Sequence, residues 1–418
     1  MMNILREIWA TARRNKLRTT LTGCSVAWGI FMLIFLLGSG NGLINATKEN
    51  QFKALPNSMG VWGGRTSKPY AGMKEGRMIT LDTKDISTTS KEFKAHVDEV
   101  GAVVSSYDVT LSLHKNYLVS QQMKGVLPIH QQLNKLMLLE GRFINEGDLK
   151  ERRKVMVLDH KQAKELSDGR GSLVGQLVKA NGMMFRVVGI VQADETRQSS
   201  VFYAPLTTVS TIYGQGEKVE MIEYAFHGLP TEEDNDAFED DYRRRINANH
   251  IAAPDDENAI WLWNRYTSNM QMEKGLNILT TALWVVGLFT LLSGVVGVSN
   301  IMLITVKERT REFGIRKAIG ATPWNILKLI IIESIIITSL FGYLGMFCGV
   351  AVNEYMNYVS GNMNVDTGLF TAKMFVNPTV GIDVCVEATL VIILAGTVAG
   401  LIPAWKAARI RPIEAMRE

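Results

Sequence analysis

The stretch GLNILTTALWVVGLFTLLSGVVGVSNIMLITV, residues 275–306, runs without a single Asp, Glu, Lys or Arg. A membrane's hydrocarbon core is crossed by a helix of about 20 predominantly apolar residues, so this run spans it with turns to spare. Uncharged stretches also occupy 19–47, 334–353 and 388–405. One such run lies near the N-terminus and three crowd the C-terminal third. The long segment between the first two is ordinary mixed sequence. The layout predicts an α-helical membrane protein with four transmembrane helices, one N-terminal and three C-terminal, and an inserted α+β domain on one side of the bilayer.

Working outward from 275–306, the boundaries follow. Residues 1–18 form an amphipathic helix in the cytoplasmic interface, with Ile4, Leu5, Ile8, Trp9 and Ala12 on one face. The first span is 19–47, and its helix continues to about Leu55 because no proline precedes Pro56. The outward domain covers 48–270. A stalk and the second span cover 271–306, with helix beginning near Arg265 and running about 40 residues, about 60 Å at 1.5 Å per residue. A cytoplasmic loop occupies 307–324, the third span 325–357, a short outward loop 358–378, the fourth span 379–403 and a cytoplasmic tail 404–418. Lys328, Glu333, Asp383 and Glu387 fall inside or beside spans. A charge at mid-bilayer costs about 2.5–3.5 kcal/mol, so these four belong at interfaces or against protein.

The net charge of +4 is distributed by side. Arg6, Arg13, Arg14, Lys16 and Arg18 precede the first span; Lys307, Arg309, Arg311, Arg316 and Lys317 follow the second; Lys406, Arg409, Arg411 and Arg417 follow the fourth. The loop 358–378 holds only Lys373. The positive-inside bias puts both termini and loop 307–324 in the cytoplasm and the large domain outside. The basic excess is therefore topological and points to membrane lipid, not nucleic acid. The first apolar run is too long for a signal-peptide core and no small-residue cleavage site follows it, which predicts a retained helix.

Cys24, Cys348 and Cys385 all fall in or beside spans, so the outward domain is held together without disulfides. Within that domain, segments 107–113, 117–126, 154–158, 174–179, 184–191 and 199–204 read as strands, with further strands near 219–227 and 258–263. Helices fit 130–138, 159–167 and 205–213. The acidic-then-basic stretch 231–250 reads as a solvated surface helix whose charges suit the helix dipole. One lobe or two remains open at this level. His96, His114, His130, His160, His227 and His250 show no metal-ligand spacing, and neither a nucleophile elbow nor a phosphate loop is present. No catalytic residue, metal or bound cofactor is expected in this chain.

The cytoplasmic loop VKERTREFGIRKAIGATPW, 306–324, interleaves Phe313, Ile315, Ala318 and Ile319 with Arg309, Glu312, Arg316 and Lys317. A short helix here presents an apolar knob with a charged rim to a protein partner; a basic loop lying on lipid headgroups has the same composition. Its core, ERTREFGIRKAIGA at 308–321, resembles the signature loop of the FtsX-like permeases, the membrane subunits of MacB-type ABC transporters. The ending GLIPAWKAARIRPIEAMR, 400–417, is similar to that family's ending, with Met416 in place of the usual Leu. Glu140-Gly141-Arg142-Phe143 with Asp148, the strand Val155–Leu158 and Phe185–Ile190 resemble its MacB-like periplasmic core domain, and 12–22 fits its opening. The resemblance is weakest at 56–106 and 215–265.

That resemblance implies a permease subunit in the bacterial inner membrane. It would couple ATP hydrolysis by a separate ABC ATPase subunit, which binds the ATP and Mg, to movement of its periplasmic domain. Its own chain would not be an enzyme. Efflux of small molecules or peptides is the first reading; a lipoprotein-releasing permease and a signalling permease controlling cell-wall hydrolases are the alternatives. A second copy in a homodimer, or a sibling permease, is implied, with a periplasmic adaptor and outer-membrane channel as further partners. The coupling loop would contact the ATPase through Glu308, Arg311, Glu312, Phe313, Gly314, Arg316, Lys317, Gly320 and Ala321.

Overall fold

The computed structural model describes residues 16–51, 54–169, 171–192, 201–360, 364–366, 371–373 and 375–409. In chain order the elements are α1 (Lys16–Gln51), β1 (Ser58–Gly63), β2 (Leu81–Asp82), α2 (Thr83–Glu92), β3 (Val97–Leu113), β4 (Asn116–Val126), α3 (His130–Leu133) and β5 (Leu138–Gly141). There follow α4 (Glu146–Lys150), β6 (Val155–Asp159), α5 (His160–Leu166), β7 (Leu177–Ala180), β8 (Met183–Val191), β9 (Val201–Pro205), α6 (Leu206–Ile212), β10 (Lys218–Val219), β11 (Met221–Phe226), α7 (Glu232–Asn249) and β12 (Ile260–Asn264). The chain closes with α8 (Arg265–Glu308), α9 (Thr310–Ala318), α10 (Pro323–Ser360), the pair β13 (Asn364–Asp366) and β14 (Thr371–Lys373), and α11 (Ile382–Ala408). They divide between a helical unit and an α+β unit.

In the α+β unit one sheet runs in the order β12-β1-β11-β3-β4-β9-β6-β8-β5, with β7 pairing β3 and β8. β3 is long and central. The reading of 107–113 catches only its end, because Ala102, Val103 and Val104 are buried on both faces and show no alternation. One face of the sheet carries the main core, where Phe93 of the α2 end meets Phe238 and Tyr242 of α7. The other carries a second cluster around Phe143, Val157 and Tyr203.

Capping boxes start four helices, at Asp82/Asp85, Asn145/Asp148, Asp159/Gln162 and Thr231/Asp234. α2 goes unpredicted from sequence although Asp82-x-x-Asp85 is the signal that marks it. The 130–138 helix is only α3, since the chain turns at Asn134 and Lys135 and enters β5. α7 is not merely a solvated helix: Asn235, Phe238, Tyr242 and Ile246 form a buried stripe along it.

Among the described residues, four helices are long and apolar enough to cross a membrane: Thr19–Glu49, Arg265–Glu308, Pro323–Val359 and Val384–Ala408. α1 touches α8 and α10 closely. A Cβ at Gly294 would sit 2.8 Å from the Ser25 carbonyl oxygen, and one at Gly345 2.2 Å from that of Ala27. Only glycine permits such backbone approach, the usual way spans associate without a hydrophobic driving force. Polar groups in these helices bond inward: Asn353 Nδ2 donates to the Ile34 carbonyl (3.0 Å) and Ser334 Oγ to that of Gly396 (2.8 Å). α1 is helical to Gln51, residues 52–53 lie outside the described residues, and Ala54 and Leu55 are no longer helical; the expected interfacial helix over 1–18 lies almost wholly outside the described residues.

Candidate functional site

Within 307–324, Lys307 and Glu308 end α8, Thr310–Ala318 forms α9, and Pro323 and Trp324 begin α10, so the expected contact Glu308 lies on α8 and Gly320 and Ala321 just beyond α9. The end of α9 is set by Gly320, at φ +106°. Ala321 N–H donates to the Arg316 carbonyl (2.9 Å) and Gly320 N–H to that of Lys317 (3.0 Å), the Schellman pattern that satisfies the last carbonyls. Pro323 then opens α10 at a position whose N–H would be unpaired in any case. Stop and restart are therefore written into Gly-Ala-Thr-Pro, 320–323.

Arg309, just ahead of α9, organises the charges. Its Nε and Nη2 reach Glu312 Oε2 and Oε1 at 2.9 and 3.0 Å, and its Nη1 reaches Glu333 Oε2 on α10 at 3.3 Å. The guanidinium lies 5.1 Å from the Phe313 ring centre. Arg316 Nη2 adds a bond to Glu312 Oε1 at 2.7 Å. The Arg309 fork, helped by Arg316, holds the Glu312 carboxyl below its usual range despite partial burial. Lys317 Nζ donates to the Ala408 carbonyl at the end of α11 (2.5 Å). The short helix is thus tied to α10 through Glu333 and to α11 through Ala408. Neither Arg309 nor Glu333 is among the sequence-predicted contacts. The signal that marks them is a charged pair bordering spans, since an intramembrane Glu demands a partner.

The expected contact residues divide by face. Phe313 is 1 % exposed and Gly314 is also buried, so the apolar knob expected at Phe313 points into the chain's own core with Ile326, Leu329, Ile330 and Ala404. Glu308, Arg311 and Gly320 are exposed, and Glu312, Arg316, Lys317 and Ala321 are half-buried. The exposed apolar residues are instead Ile315 (43 %) and Ile319 (81 %), with Trp324 (68 %) just beyond. Arg311, Ile315, Ala318 and Ile319 follow a helical spacing and make one outward stripe.

In the α+β unit the motif residues also come together. Arg142 forms a fork to Asp148, Nη1 to Oδ2 at 2.6 Å and Nη2 to Oδ1 at 3.0 Å, and Arg153 Nη1 stands 3.6 Å from Oδ1. Burial pushes the Asp148 carboxyl up, but Arg142, the Asn145 N–H and Arg153 outweigh it and hold it below the usual range. Gly141, at φ +73°, faces Gly189 across β5 and β8, and a Cβ on it would strike the Val188 carbonyl oxygen at 2.2 Å. The Glu-Gly-Arg-Phe segment is thus a structural corner.

The profile of the MacB-like periplasmic core domain matches residues 19–244, and that of the FtsX-like permease C-terminal matches 284–412. The chain is 26% identical over 424 residues to the macrolide export ATP-binding/permease protein MacB of Bdellovibrio bacteriovorus, covering 100% of this chain and 62% of that protein. It is 27% identical over 437 residues to the uncharacterized ABC transporter permease YknZ of Bacillus subtilis, covering 100% and 99%. It therefore spans about three fifths of the MacB proteins it matches and nearly all of YknZ. Among solved structures it is similar to the periplasmic region of MacB from Actinobacillus actinomycetemcomitans, at 21% identity and a TM-score of 0.43, over 54% of this chain and 96% of that one. With a core-domain match across more than half its length and a permease match over its last three spans, the chain belongs to the MacB/FtsX family of ABC transporter permeases: multi-pass membrane proteins with a MacB-like periplasmic core domain.

Proposed function

We propose that this chain works in a bacterial inner membrane, termini inward, as the permease of an efflux complex for small molecules or peptides. An ABC ATPase lying outside these 418 residues binds ATP and Mg and docks on α9. A second permease copy completes the pair of helical units. Closure of the ATPases pushes α9, and α8 carries the displacement to the periplasmic domain. The cargo class leans on the MacB relatives, whose names specify macrolide export.

The observation that supports this reading best is the division of α9 into an anchored face and an open one. Phe313, Arg309 and Lys317 fasten it to the spans, while Arg311, Ile315 and Ile319 are left outward on a helix with a fixed end. An apolar centre with a basic margin on a rigid element is what a protein partner needs. A loop that merely lies on headgroups needs no such anchoring.

The test is a photocrosslinker at Ile319 in intact membranes, with captured species identified by mass spectrometry. Capture of an ABC ATPase supports the reading. Capture of lipid alone, from a folded dimeric chain, overturns it. Phe313 is the wrong place for the probe, because it reports on the chain's own interior.

A further inference from the structure

β12 passes into α8 with no residue between them: the strand ends at Asn264 and the helix begins at Arg265. Asn264 is thus the last strand residue and Arg265 the first helical one, and the two are anchored to different elements of the domain. Asn264, 4 % exposed, donates through Nδ2 to Asn235 Oδ1 (2.8 Å) and Glu239 Oε1 (3.0 Å), both on α7. Its Oδ1 accepts from Tyr266 N–H at 2.9 Å and Thr267 N–H at 3.4 Å, capping α8. Arg265 reaches other elements. Its Nη1 donates to Ser58 Oγ (3.0 Å) and the Leu133 carbonyl (3.3 Å), and its Nη2 to Asn134 Oδ1 (3.2 Å). Asn134 in turn donates to Glu223 Oε2 at 3.1 Å, and His130 Nδ1 lies 2.5 Å from Glu223 Oε1. Both His130 and Glu223 are almost fully buried.

Stability alone gives little reason for this cluster. A cation in the first turn opposes the helix dipole, which favours negative charge there. Replacing a buried ionic cluster by well-packed apolar residues is often neutral or stabilising, because the charges cost desolvation. What an arginine fork does supply is direction, because its planar donors accept few geometries. We propose that Asn264 and Arg265 are positioning residues that make β12 and the head of α8 one rigid lever, so that displacement of α8 turns the sheet instead of bending a linker. The joint rests on the contacts above; only the source of the displacement rests on the ABC reading.

The experiment uses the full chain in lipid nanodiscs, with Cys24, Cys348 and Cys385 changed to serine and spin labels at Gln271 and Lys115, both exposed. No nucleotide or ATPase is added, so the outcome is independent of the crosslinking result at Ile319. The native joint gives one narrow distance distribution. Arg265→Met, of similar length and no charge, lowers the domain's unfolding temperature but leaves it folded at the measuring temperature, and about doubles the width. Arg265→Lys, which keeps the charge and loses the fork, broadens it less. A folded Arg265→Met chain with the native width overturns the proposal. Should that variant fail to fold, native width in Arg265→Lys overturns it equally.

Discussion

The two ends of α8 invite comparison. At one end Arg265 stands where the helix dipole opposes it; at the other Arg309 follows the last residue, where the dipole favours a cation. Both meet a buried glutamate in their surroundings: Glu223 near Arg265, Glu333 beside Arg309. The difference is in what remains open. Around Arg265, Ser58, Leu133, Asn134 and Glu223 close the site within the domain. Around Arg309, half of α9 is anchored and the other half, Arg311, Ile315 and Ile319, is left to solvent. A closed cluster sets a direction; a half-open one sets a direction and offers a surface.

The comparison breaks first at Phe313. Phe313→Ala empties a fully buried site and costs about 3–5 kcal/mol, read as loss of thermal stability of the whole helical unit. Ile319→Asp, by contrast, leaves the melting temperature near native and removes ATPase copurification. If the two variants behave alike, the division of α9 into inner and outer faces is wrong.

Acid sharpens it next. Burial pushes Glu223 up, but His130, Asn134 and Arg265 together hold it below the usual range, as Arg142 holds Asp148. A carboxyl whose folded pKa is depressed contributes stability that is present above its unfolded value, about 4, and is lost as pH falls through the folded one. Stability of the core domain should therefore decline steeply below about pH 4. Asp148→Asn flattens that decline in a denaturant titration series, and an unchanged slope contradicts the assignment.

A smaller effect falls on the cap. Asn264→Ala removes the N-cap of α8 and its bonds to α7, costing about 1 kcal/mol or somewhat more, measured by urea unfolding. The smallest belongs to the half-exposed pair at the far end: Arg316→Gln loses only one of two cations on Glu312 and shifts stability by about 0.2–1 kcal/mol. A larger loss there would mean that the half-open end is as closed as the other.

Legibility differed between regions for physical reasons. The capping of α9 could be read from Gly320 and Pro323, because φ above zero and a missing N–H are local properties. The strands over 117–126 and 184–191 were readable from alternation and β-branched content. The stretch 101–104 of β3 was not, since a strand segment buried on both faces shows no period. Arg142 and Asp148 stand close together in the sequence, yet their fork emerges only when the Asn145 cap turns α4 back on β5.

The sequence by itself determined the four spans, their separation by a large mixed domain and the place of the charged loop between the second and third spans. Hydrocarbon rejects charge wherever it occurs, so one-dimensional order is enough to show where the chain crosses. Only the tertiary structure decided that Phe313 turns inward and Ile319 outward, and that Arg265 reaches residues 58, 133 and 134. A nine-residue helix with apolar side chains on several faces has no unique inner side until α10 and α11 supply one. A cation beside a strand has no partner until the sheet brings distant acceptors within hydrogen-bond reach.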